Sequence, residues 1–399
     1  MAVPKDLSRD FILCLIVQFI VSLVICILIP ALPIYLSRFE AKEAEIGLLV
    51  GIFSISSLIL RPIVGRAVLK TPERSFMVAG ACLYIVCSIG YVLARPVWPL
   101  LVVRVLHGIG LGLFSTAIFT LVARITPETH RGQLISYFYL SGNLSFALGP
   151  YFGVILLNRF TFNVLFLVCA GFSIGALLIT LKLEKGEVPA LGVRSPKVKT
   201  LLVREAVPPA VVAFMLNVIW GTLSAFIPLY ALKRGVSNPG VFFIFLAITL
   251  ILGRMLGGRL LDIYDRKRII FPCLITIVLS LILLIFSTTT AMFIVVAVVL
   301  GTGWAFIYPS LMIFAIEQAG PAQGPAMGTF TAIADLGAGF GPMIMGTLLQ
   351  WTNYPVMFSG LALTGIINFF FFYHTIGKKE EKGTPVQSAG FRKEEDTPG

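Results

Sequence analysis

A charge inside an apolar run is costly and therefore marks chemistry, and besides the arginines Arg61 and Arg254 three ionisable side chains stand out there: Asp335, Arg104 and His107. Asp335 stands in TFTAIADLGAGFGPMIMGTLL, Thr329 to Leu349, a glycine-rich stretch with no other charge. At about 1.5 Å of rise per residue it would sit about 14 Å into a helix, near the middle of a hydrocarbon layer about 30 Å thick. A carboxylate at that depth can carry a proton. The alternative is a permanently ionised partner of Arg104 or of another cation. Arg104 opens RVLHGIGLG, and His107 follows one turn later on the same face. A guanidinium there must find acceptors inside the protein, either functional ones or backbone carbonyls.

The segments that position these residues occur twice. RGQLISYFYLSGNLSFALGPYFGV, from Arg131, matches QGPAMGTFTAIADLGAGFGPMIMG, from Gln323, without a gap. The match pairs Asn143 with Asp335, Gly149 with Gly341 and Pro150 with Pro342, so one copy carries an amide where the other carries an acid. RPIVGRAVLKTPER, from Arg61, aligns with RMLGGRLLDIYDRK, from Arg254, pairing Gly65 with Gly258 and Arg66 with Arg259. Pro33 and Tyr35 repeat as Pro228 and Tyr230. Internal repeats of this length are a signature of secondary transporters.

Composition fixes the solvent. With 57% hydrophobic and 13% charged residues in 399, the chain is too apolar for a water-soluble domain. Runs of about 20 apolar residues imply helices and not a barrel, whose strands would be about ten residues long and alternating. Twelve spans are expected, from Phe11–Leu36 to Pro355–Thr375, in an all-α membrane fold of two pseudo-symmetric six-helix bundles. The bundles are 1–181 and 206–377, joined by a polar linker, 182–205, and followed by a charged tail, 378–399, expected to be disordered. Most Lys and Arg fall on one side if both termini are cytoplasmic, which accounts for the net charge of +12 without invoking nucleic acid. The six cysteines lie in apolar runs without metal-ligand spacing and read as small buried hydrophobes. The amino terminus lacks a convincing cleavage site and is expected to be retained.

The motifs resemble those of the major facilitator superfamily, in particular its branch of drug:proton antiporters and efflux permeases. GRLLDIYDRK, Gly258 to Lys267, is similar to the family's loop signature; Gly258 would allow close helix approach, and Asp262, with Arg266 and Lys267 nearby, would lock the cytoplasmic side. The first-half counterpart has Leu69 where the Asp would be, so the lock is expected in the second half alone. Arg104, Gly108 and Gly110 match the fourth-helix signature, and the resemblance implies a part in conformational or proton coupling. SFALGPYFG, with Gly149, Pro150 and Gly153, looks like the fifth-helix pattern of exporters, and Gly341 with Pro342 repeats it in helix eleven. A glycine before a proline lets a helix pack closely and still bend.

The fold implied by the resemblance lines its central cavity with helices one, four, seven and ten. Candidate lining residues are Gln18, Ser22, Phe114, Asn217, Trp220, Trp304 and Tyr308, with Asn143 on helix five. Few charges and several aromatics suit an amphipathic or weakly polar organic solute, since a dianion would call for more than one buried cation. The expectation is a secondary transporter with a lipid bilayer, a small-molecule substrate and protons as partners, working as a monomer in a bacterial cytoplasmic membrane and exporting its solute. Uptake of a nutrient such as a sugar or carboxylate, or a non-transporting sensor role, are the alternatives. No Walker loop, metal cluster or activated nucleophile is present in the sequence, so no cofactor and no enzyme activity are expected.

Overall fold

The computed structural model describes residues 8–68, 70–94, 97–127, 131–184, 203–257, 264–319 and 323–377. Among these described residues twelve α-helices follow one another: α1 Arg9–Arg38, α2 Glu43–Ala67, α3 Glu73–Leu93, α4 Trp98–Ile125, α5 Arg131–Arg159, α6 Phe162–Thr180, α7 Val207–Lys233, α8 Gly240–Gly257, α9 Arg266–Ile285, α10 Thr290–Gln318, α11 Gln323–Trp351 and α12 Tyr354–Phe372. There is no strand among the described residues. Eleven helices there are long and apolar enough to cross a membrane, and the apolar run Gly240–Met255 of α8 is shorter. A chain in hydrocarbon must satisfy its backbone polar groups within each segment, which is why the apolar runs are helical. Side chains cap several starts: Ser8 accepts from the Phe11 N–H at 3.2 Å, Thr289 from Met292 at 3.3 Å and Asn353 from Val356 at 3.1 Å.

Helices α1–α6 pack among themselves, as do α7–α12. The sequence repeat is also a repeat of packing. On α5, an added Cβ at Gly149 would lie 2.4 Å from the Cβ of Cys26 on α1; at Gly341 on α11 it would lie 2.4 Å from the Val218 carbonyl oxygen on α7. Tyr35 is edge-on to Phe162 and Phe166, at 4.9 and 5.3 Å, and its counterpart Tyr230 meets Tyr354 and Phe358, each at 5.1 Å.

The bundles meet mainly along α2 and α11, with further contacts of α5 on α8 and α1 on α7. Odd-numbered helices start on the face that bears the chain's first helix end, here called the terminus face. Toward the other face α2 and α11 touch backbone to backbone: a Cβ at Gly47 would lie 2.1 Å from the Pro342 oxygen, and one at Gly51 2.1 Å from the Gly339 oxygen. Gly240, at the start of α8, similarly abuts Pro150 and Tyr151. Toward the terminus face the helices part. Ile59 and Ile63 on α2 are 65% and 59% exposed, and Gly328 on α11 has nothing within 4 Å of its Cβ position.

Several expectations change here. Gly65 has no neighbour within 4 Å of its Cβ position and Arg66 is exposed, so in this conformation they are not packing residues. Cys82 is exposed while the other five cysteines are buried, because α3 turns it outward. Gly258, Asp262, most of the linker and the tail lie outside the described residues, as does the side chain of Arg266.

Candidate functional site

Asp335 lies where α2 and α11 begin to part, and its carboxylate is paired with the guanidinium of Arg61 on α2. The pair crosses from one bundle to the other. Its side chains are 28% and 38% exposed, so both groups reach open space and neither is sealed in a core. Tyr308 on α10 lies within electrostatic range of both Asp335 and Arg61. Asn217 donates to the Ala334 carbonyl at 2.9 Å, fixing α7 against α11 one residue before the acid. Helices from both bundles thus converge around one carboxylate.

Nearby aromatics form a chain between the bundles. Trp220 on α7 is 5.3 Å from Phe146 on α5 and 5.7 Å from Trp304 on α10, and Tyr308 is 5.7 Å from Phe330. Gln18 donates to Ser22 at 3.0 Å on α1, and both lie beside Gly142 of α5. Asn143, the counterpart of Asp335, is half-buried one residue further on.

Arg104 and His107 occupy a separate place, in the half of α4 away from the terminus face. Arg104 donates through Nε to the Leu49 carbonyl at 2.8 Å, and more loosely to Val50 O at 3.5 Å and the Tyr91 hydroxyl at 3.4 Å. Its guanidinium lies 4.4 Å from the Phe53 ring centroid, a cation–π contact. His107 is fully buried, with Nδ1 3.0 Å from the Tyr91 hydroxyl and its ring edge-on to Tyr84 at 4.6 Å. Neither residue touches Asp335. The sequence-level option of an Arg104–Asp335 pair is therefore replaced by Arg61–Asp335, and Arg104 braces α4 against α2. Gly108 makes that brace possible, since its missing Cβ would lie 2.3 Å from the Phe53 oxygen; Gly110 does the same toward Leu83 and Gly80 of α3.

A cavity of about 160 Å³ lies next to Arg104 and His107, between α1, α2 and α4 of the first bundle and α7 and α11 of the second. Its wall includes Phe53, Ser54, Trp220 and Ser224. Phe114, expected to line a cavity, does not: it is 1% exposed and its Cβ abuts Gly80 of α3. Its side chain is spent on packing against α3 within the first bundle. Sequence reasoning missed Arg61 as the partner of Asp335, and missed Tyr91, Ser54 and Ser224. Only Arg61 carried a signal, as a cation inside an apolar run.

A family model described as Major Facilitator Superfamily matches residues 14–322 and 241–396. The chain is 25% identical over 366 residues to the quinolone resistance protein NorA of Staphylococcus aureus, spanning 88% of this chain and 92% of that protein. It is 27% identical over 366 residues to multidrug resistance protein 1 of Bacillus subtilis, spanning 87% and 93%. Among solved structures, the nucleoside transporter NupG superposes with a TM-score of 0.76 at 15% identity, covering 92% of this chain and 99% of that one. The human organic anion transporter MFSD10 superposes at 0.66 with 17% identity, covering 91% and 98%.

Proposed function

The chain belongs to the major facilitator superfamily, a family of membrane transporters, and we propose that it is a proton-coupled exporter of small amphipathic organic molecules, working by alternating access of its two bundles. The observation that carries this reading is the Arg61–Asp335 pair, which ties one bundle to the other where their helices part. An ionised Asp335 holds Arg61. A proton arriving on the carboxylate ends the pairing, so proton occupancy and bundle arrangement become linked. Solvent screening limits a partly exposed ion pair to on the order of 1 kcal/mol, small enough for a proton to displace it. The driving force is sufficient, since one charge crossing 100 mV is worth about 2.3 kcal/mol.

Export is supported by the relatives, two of which are named for quinolone and multidrug resistance. The reading of the solute as amphipathic is supported by the aromatic side chains between the bundles: Trp220 borders the cavity and is in ring contact with Phe146 and Trp304. In this reading both termini are cytoplasmic, the terminus face is the open one, and 1–181 and 206–377 rock against each other about the 182–205 linker. One carboxylate carries the proton, one seam closes the outer side, and a monomer suffices.

The test is Asp335→Asn in liposomes with an imposed pH gradient. Expected is loss of gradient-driven accumulation of a fluorescent dye substrate while exchange down its own gradient continues. Accumulation against a gradient at the wild-type rate would end the coupling scheme.

A further inference from the structure

Arg104 is a buried cation, 6% exposed, with no ion-pair partner among the described residues. Burying a guanidinium without an acid is costly. Of its five N–H donors, only Nε has a short bond, and the two Nη contacts are long. Beside it is a second unsatisfied donor. Arginine can only donate, so the Tyr91 oxygen accepts from Arg104 and its hydroxyl hydrogen goes to Nδ1 of His107. That assignment places the imidazole proton on Nε2, and Nε2 has no partner among the described residues. His107 stands in the cavity wall beside Arg104, but its side chain is wholly buried, so its Nε2 is not open to the cavity and Arg104 is the charged group that faces it.

We propose that this cavity is a binding site for a monoanion carried on a single ring, an aromatic monocarboxylate. The carboxylate would accept from the Nη groups of Arg104, and Ser54 and Ser224 add hydroxyls to the wall of the same cavity. The charge limit follows from the single cation. The size limit follows from the volume: about 160 Å³ compares with a cavity of about 150 Å³ that holds benzene. Phe53 and Trp220 supply faces for the ring. The site lies between the bundles, so an occupant would be exposed to either side as they rock; it rests on the export reading for that step and names the class of solute exported.

The experiment uses the full chain in lipid nanodiscs, with benzoate as probe and acetate and benzamide as controls, followed by equilibrium calorimetry. Charge-assisted bonds to Arg104 predict saturable benzoate binding roughly tenfold or more tighter than benzamide, which keeps the ring and loses the charge. Acetate, which keeps the charge and loses the ring, should be weaker by a similar factor. Because Arg104 also braces α2, the decisive variant is Ser224→Leu, which fills the cavity from α7 and leaves that brace alone; benzoate affinity should fall about tenfold. Benzamide or acetate binding as tightly as benzoate, unchanged affinity in Ser224→Leu, or no saturable benzoate binding would each overturn the proposal. Failure of the export reading would show instead in gradient-driven transport by Asp335→Asn, which this equilibrium measurement does not involve.

Discussion

Arg61 and Asp335 are separated by most of the chain and joined by one contact, so their roles can be tested as a pair. Arg61→Gln removes the cation paired with Asp335, which the proposed scheme releases on protonation. Gradient-driven efflux should fall roughly tenfold, the scale of a lost coupling of about 1.4 kcal/mol, while exchange at equal pH persists. The double change Arg61→Asp with Asp335→Arg restores a contact of opposite charges but moves the acid to the other bundle. It should recover thermal stability more than it recovers gradient-driven transport; equal recovery of both would mean that the pair is only a tie. Phe114→Ala is the contrast: it empties a site against Gly80 inside the first bundle and should cost about 3–5 kcal/mol of stability, seen as a lower melting temperature. Substrate affinity of the folded fraction should be unchanged.

Among the elements, glycines mark three situations that the sequence writes with the same letter. Gly341 sits within a bundle, against Val218, and Gly341→Ala should overpack it at a cost of about 1–3 kcal/mol. Gly51 sits between bundles, against Gly339, and Gly51→Ala should act on the equilibrium between states: accessibility of the cavity from the face away from the termini should rise, read by thiol labelling of a cysteine placed at Ser54. Gly65 meets nothing, and Gly65→Ala should be neutral or gain up to about 1 kcal/mol from helix propensity. These differences explain what was legible beforehand. Hydropathy gave the spans and the repeats gave the pairing of α5 with α11, because both are local in the chain. The partner of Asp335 was hidden, since it depends on how α2 of one bundle lies along α11 of the other. The place of Phe114 was hidden too, since any helical row can face a neighbour or a cavity.

For the molecule as a whole, the prediction concerns direction. Bundles that part at the terminus face and meet at the other one leave a solute able to enter from the terminus side. Inverted vesicles with a proton gradient should therefore accumulate a dye substrate, and right-side-out vesicles should not; accumulation in the latter alone would make this an uptake protein. The amide–acid exchange between Asn143 and Asp335 fits the proposed device, in which two related halves differ at this position by one acidic group.

The backbone seam at Gly47, Gly51, Gly339 and Pro342 has a further bearing, on how such a protein can vary. Main chain resting on main chain leaves no space for a larger side chain, so heritable change in what is carried has to be written into side chains beside these contacts and not into the contacts themselves. A blocking compound wedged along the seam would thus be hard to escape by mutation, whereas one held by the neighbouring side chains would meet a surface free to drift.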